Sequence, residues 1–171
     1  VSIPGRTASL AGAVGWQRAS GFDSFSGTGD KDGYRNVSGR LRGSWAIAPG
    51  VEAGAAAFSL SGRNEFDGFD PLTFARADTL DSSRNRLSAG RLWISGGDTS
   101  NGLSGTVGAS LLGSTNRNFL DREQINRTRG ERRNLGGQMA YRFGTGAIRH
   151  SALVALELMR FMSDFREAMW G

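Results

Sequence analysis

The sequence predicts an all-β chain: an antiparallel up-and-down meander of about seven to eight strands, an incomplete section of a transmembrane β-barrel, with a C-terminal tail for which a short helix and a locally collapsed segment are both open. Three observations lead there. Seven stretches, 7–20, 36–48, 51–62, 86–96, 103–114, 135–144 and 147–158, alternate small apolar residues with polar ones, which is the period of a half-covered strand. Their connections alternate in length: 21–35, 63–85 and 115–134 are long and polar, whereas 49–50, 97–102 and 145–146 are short. Bacterial barrels show that asymmetry, with tight turns on one side of the membrane and longer loops on the other. Each stretch also approaches the ten or so residues with which a tilted strand crosses hydrocarbon, and no run reaches the roughly 18 apolar residues of a spanning helix.

In the first stretch Ala8, Leu10, Gly12, Val14 and Trp16 oppose Ser9, Ala11, Ala13, Gly15 and Gln17. The second is cleaner: Val37, Gly39, Leu41, Gly43, Trp45 and Ile47 share one face, and Ser38, Arg40, Arg42 and Ser44 share the other. The third and fourth carry Phe58 and Trp93, which with Trp16, Trp45, Tyr141 and Phe143 lie near segment ends, as interfacial aromatic girdles do. In the fifth, Leu103, Val107, Ala109 and Leu111 oppose Ser104, Thr106 and Ser110; in the sixth, Leu135, Met139, Tyr141 and Phe143 oppose Gln138 and Arg142. A secreted sandwich would alternate in the same way. These apolar faces are too lean in bulky residues to fill a dry sandwich core at native density. Beyond the seventh stretch the rhythm breaks, because Leu158, Phe161, Met162, Phe165 and Met169 fall at helical spacing. The expected organisation is a barrel segment over 1–158 and a tail over 159–171 whose structure the pattern does not fix.

The 171 residues suit one domain, and the 26 glycines are about twice the usual share. With no cysteine there is neither a disulfide framework nor thiol chemistry. The net charge of +5 comes from arginines scattered along the chain, with Lys31 the single lysine. Nucleic-acid binding asks for clustering, and no nucleic-acid partner is expected. An enzyme is not expected either: His150, the only histidine, sits in an alternating strand, and no nucleophile-elbow, zinc-protease, Walker or dinucleotide fingerprint occurs. The acceptor patterns at Asn36 and Asn126 are chance matches in an outer-membrane setting.

Acidic residues are grouped in the first two long connections. The first runs from Gly21 through Asp23, Asp30, Lys31 and Asp32 to Gly33; the second contains Glu65, Asp67, Asp70, Asp78 and Asp81. Calcium takes six to eight oxygen ligands from flexible carboxylates and carbonyls, and neighbouring loops of a barrel can converge their aspartates on one ion. The same residues also serve as ordinary turn formers. In the third connection Arg117, Arg122, Arg127, Arg129, Arg132 and Arg133 outnumber Asp121, Glu123 and Glu131. That basic patch suits lipopolysaccharide phosphates or another anion, since arginine contacts phosphate bidentately.

The run from Asp30 through Asp32, Gly33, Tyr34, Asn36, Val37 and Gly39 to Leu41, followed by a short turn, a second strand and Asn64 to Asp70, resembles the barrel of TonB-dependent outer-membrane receptors, and within them the vitamin B12 (cobalamin) transporters. The resemblance covers roughly residues 7–157 and is distinctive mainly across 21–93. It implies an active transporter of the cell outer membrane whose partners are outer-membrane lipid, a scarce nutrient such as cobalamin, and the TonB energy-coupling system acting through a plug. It also implies calcium as a cofactor that orders extracellular loops, with Asp23, Asp30, Asp32, Asp67 and Asp78 at the matching positions. The chain departs from the family in strand number, for such barrels have twenty-two strands, in the missing plug and energy-coupling box, and in ending on Trp170-Gly171. It is therefore expected to be an early section of the barrel that does not transport by itself. Two alternatives remain open: a complete small eight-stranded outer-membrane barrel with a structural or adhesive role, and a secreted calcium-dependent binding module.

Overall fold

The computed structural model describes residues 2–4, 7–23, 31–70, 72–98 and 102–167. They form one antiparallel sheet whose strands follow chain order: β1 (Ser2–Pro4), β2 (Ala8–Ala19), β3 (Tyr34–Ala48), β4 (Val51–Phe69), β5 (Arg76–Gly97), β6 (Gly102–Leu120), β7 (Glu123–Thr145) and β8 (Ile148–Glu167). The expected all-β antiparallel meander is what the chain adopts. β1 is a three-residue stub on β2, no pairing joins β8 back to β1, and the sheet is open.

At one end the turns are tight, and glycines carry the left-handed backbone that such reversals need: Gly50 at φ 70° and Gly146 at φ 62°. The other end differs from expectation. The connections foreseen over 63–85 and 115–134 are largely ladder, because β4 and β5 pair as far as Phe69↔Arg76 and β6 and β7 as far as Leu120↔Glu123. The β6–β7 reversal is the two-residue Asp121-Arg122, both left-handed at φ 46° and 74°. Side chains here are polar on both faces, so hydropathy stops alternating while backbone pairing continues.

Over 159–167 the tail is strand and not the expected helix; residues 168–171 of the expected tail lie outside the described residues. β8 crosses position 158 without a break and pairs with β7 as far as Asn126↔Glu167. The apolar spacing that suggests a helix also fits a strand, which sends Leu158 and Met162 to one face and Phe161 and Phe165 to the other. A ladder that pairs the whole element satisfies more backbone groups than one helical stripe in a short tail, where nucleation is costly.

Directly paired residues share a face, and the registers sort the side chains into two surfaces. One carries Leu10, Val14 and Trp16 of β2, Val37, Leu41 and Trp45 of β3, Leu92 and Ile94 of β5, Val107 and Leu111 of β6, Leu135 and Met139 of β7, and Val154, Leu156 and Leu158 of β8. The opposite surface is mainly polar, carrying serines, arginines and asparagines with a few large apolar side chains among them (Phe58, Leu87, Trp93, Leu112, Phe161); Asn85 pairs with Asn116 at 2.6 Å and Asn118 with Asn126 at 2.9 Å. Along β4 and β5 the exposed positions are those of the apolar face (55, 57, 59, 61, 63; 84, 86, 88), while the polar-face positions between them are half-buried. The polar face is thus the crowded, concave side and the apolar face the convex one. Among the described residues no hydrophobic side chain is buried, and Val14, at 84% exposure, and Leu156, at 78%, stand on the convex face.

The edge of the convex apolar band does not follow the hydrogen-bonded rows. One such row runs Arg18–Arg35–Arg63–Arg84–Arg117–Arg127–Arg166 from β2 to β8. Toward the tight turns, the nearest band residue lies two positions from this row on β2 and β3 (Trp16, Val37), six on β4 and β6 (Ala57, Leu111) and eight on β5 and β7 (Leu92, Leu135); on β8 Leu158 is also eight away, with Met162 standing apart from the band at four. The far edge moves the same way, from Ile47, twelve positions from Arg35, to Phe143, sixteen from Arg127.

Candidate functional site

Two neighbouring rows of the concave face build a hollow. Ala11, Arg42, Ala56, Arg91 and Ser110 stand in one, and Ala13, Arg40, Phe58, Ala89, Leu112 and Arg132 in the next. The alanines leave space that longer side chains would fill, and the arginines wall a depression of about 610 Å³. Trp93 stands in the adjoining row, opposite Gly54. Its indole lies over Gly54, and the guanidinium carbons of Arg42 and Arg91 are 5.1 and 5.9 Å from its ring centroid, within cation–π range. No acidic residue stands in either row from β2 to β8. The hollow presents the guanidinium donors of Arg40, Arg42, Arg91 and Arg132 and the ring of Phe58, groups that suit an anionic or planar partner.

Of the sequence-predicted calcium residues, Asp23, Asp32, Asp67 and Asp78 occupy the opposite end from the tight turns. Asp23 and Asp32 flank the stretch 24–30, which includes Asp30 and lies outside the described residues. The backbone there is tied by the Asp32 N–H, which donates to the Phe22 carbonyl at 3.4 Å, and the Glu65 N–H, which donates to Gly33 at 2.9 Å. Asp67 belongs to the β4–β5 hairpin, where its Oδ1 accepts the Thr79 N–H at 3.3 Å while Thr79 Oγ1 accepts the Gly68 N–H at 2.8 Å. Asp78 is the neighbour of Thr79 on β5. Among the described residues no group of three or more acidic or histidine side chains is placed to hold a metal ion.

A pair absent from the predicted set joins two tips instead. Asp81, only 5% exposed, accepts the Asp121 N–H at 3.0 Å, and Asp121 Oδ1 accepts the Leu80 N–H at 3.2 Å. The β4–β5 and β6–β7 hairpins are thereby clamped reciprocally. Forty residues separate the partners in sequence, and only the register between β5 and β6 brings them together.

The basic patch foreseen over 117–133 is divided by the alternation of β6 and β7. Arg117, Arg127, Arg129 and Arg133 stand on the convex face, Arg132 enters the concave hollow, and Arg122 sits in the turn. His150 lies on the convex side near the tight turns, stacked on Phe143 at 5.0 Å with Thr145 Oγ1 2.7 Å from its Nε2. Comparison of the chain with protein-family models, curated proteins and solved structures gives no match.

Proposed function

We propose that this chain is a wall section of an outer-membrane β-barrel, and that the barrel is a TonB-dependent transporter for cobalamin or a similar bulky nutrient. One observation carries the membrane part: the continuous band of apolar residues lies on the convex face, flanked by arginines, while the concave face is mainly polar and carries only scattered apolar side chains such as Phe58, Leu112 and Phe161. A sheet of a soluble protein packs its apolar face on a core and turns the other to water. A membrane barrel reverses this, with an apolar band outside and a polar lumen.

The slope of the band supports the same reading. From β2 to β7 its edge shifts by about six residues, or roughly 20 Å, across five strand-to-strand gaps of about 4.8 Å. A level membrane plane drawn on such a sheet implies strands tilted by about 40°, inside the usual range for these barrels. The transporter part is supported by the resemblance across residues 21–93 and by a concave wall whose arginine-lined hollow suits an anionic or planar partner.

Tryptophan quenching tests the membrane reading. In vesicles of brominated phosphatidylcholine, variants in a Trp170→Phe background that retain only Trp16 or only Trp45 should be strongly quenched, and one that retains only Trp93 should not. Equal quenching at all three sites removes the barrel assignment. Cobalamin and calcium are tested separately, by equilibrium binding of cyanocobalamin with and without calcium chloride. Calcium-dependent, saturable binding supports the nutrient and the loop-ordering role; no binding removes both and leaves the wall in place.

A further inference from the structure

The convex face carries seven arginines directly opposite one another on seven consecutive strands: Arg18, Arg35, Arg63, Arg84, Arg117, Arg127 and Arg166. Like charges directly opposite each other on a sheet are unfavourable, and here six such pairs follow in succession. Within the ladder the carboxylates in ion-pair contact stand near two of its members, Glu65 3.0 Å from Arg63 and Asp164 3.1 Å from Arg166. Its centre forms a depression of about 500 Å³ lined by Arg35, Arg63, Arg84, Arg86, Arg117 and Arg127, with the Ser61 and Thr115 hydroxyls between them. The Nε of Arg127 is buried there without a hydrogen-bond partner, a cost that an incoming acceptor would relieve.

The ladder is continuous with the apolar band. Arg18 and Arg35 adjoin Trp16 and Val37 at the band's edge, and where the row climbs away Arg133 and Arg160, themselves paired, adjoin Leu135 and Leu158. A ligand that is anionic at one end and apolar at the other fits both surfaces together. We propose that the arginine ladder binds the phosphate groups of a membrane lipid with a phosphomonoester headgroup, whose acyl chains lie against the convex band below it. The guanidinium fork matches phosphate geometry bidentately, and strand spacing sets neighbouring forks about 4.8 Å apart, so one doubly phosphorylated headgroup can engage several.

This inference rests on the convex face meeting lipid, and its test separates the two. The full chain in dodecyl maltoside micelles, which carry no phosphate, is titrated calorimetrically with a bis-phosphorylated disaccharide lipid (lipid A), with the same lipid lacking phosphates, and with inorganic phosphate. The expected result is binding at least tenfold tighter to the phosphorylated lipid, weakening with salt. Arg84→Gln/Arg117→Gln should lose at least tenfold, Arg84→Lys/Arg117→Lys should recover part of that loss, and Arg142→Gln/Arg149→Gln at the tight-turn end should bind normally, with far-UV circular dichroism confirming that each is folded. Equal affinity for the two lipids, equal loss in the tight-turn variant, or displacement by inorganic phosphate at the lipid's own concentration overturns the ladder while the tryptophan result stands. If Trp16 and Trp45 are not quenched in vesicles, both fall.

Discussion

At Asp70 one carboxylate builds a turn. Its Oδ1 accepts the N–H groups of Leu72 at 2.8 Å and Thr73 at 2.9 Å, while the Phe74 N–H donates to the Asp70 carbonyl at 2.9 Å. Phe74 follows at φ 55°, a conformation that needs such support in a residue with a side chain. Hydrogen bonds to the charged form favour it, and those from the Thr73 and then the Leu72 backbone hold the Asp70 carboxyl below the usual carboxylate range. With its folded value depressed, the group supports the turn above the ordinary aspartate value, and the support disappears as pH falls through the lowered one. The amide resonances of Leu72 and Thr73 should therefore titrate with a midpoint below about 3.9, and Asp70→Ala should abolish that transition. A midpoint at or above the ordinary value would show that the turn does not depend on the ionised side chain.

Between neighbouring strands, register decides which residues tolerate change. Gly54 of β4 faces Trp93 of β5, and a Cβ at position 54 would overlap the indole. Gly54→Ala should destabilise the sheet by about 1–3 kcal/mol and disturb the near-ultraviolet circular dichroism of Trp93; a variant with the wild-type denaturation midpoint and spectrum would show that the ring has room to move. The strands were legible in the sequence wherever one face differs from the other, as at 37–47. They were not legible at 115–134, where arginine and asparagine occupy both faces, or at 158–165, where four apolar residues satisfy a helical and an extended pattern equally well. The same reason hid the Asp81–Asp121 clamp and the arginine ladder. Neither has a local signature, since each depends on cross-strand partners that only register assigns. The turn asymmetry groups the described tip aspartates Asp23, Asp32, Asp67 and Asp78 at one end of the sheet, but their spacing could not show that Asp67 and Asp81 accept backbone N–H groups.

For the whole sheet, the slope of the apolar band across the hydrogen-bonded rows makes depth, and not row, the variable that sets the cost of a charge. Leu41 of β3 shares its row with Arg133 of β7 and Arg160 of β8 through Ala57, Gly90 and Leu111. On β3 that row lies near mid-band, with Val37 and Ile47 on either side; on β7 it has already passed beyond Leu135. A lipid-facing arginine costs about 2–4 kcal/mol at the bilayer midplane and about 0–1 near the interface. Leu41→Arg should thus lower stability by about 2–4 kcal/mol in vesicles, while Arg133→Leu, in the same row, should change it by less than about 1 kcal/mol. The measurement is the urea midpoint of the vesicle-inserted chain followed by tryptophan emission. Similar costs at the two positions would mean that the membrane plane runs parallel to the rows, which is incompatible with tilted strands and with a barrel wall.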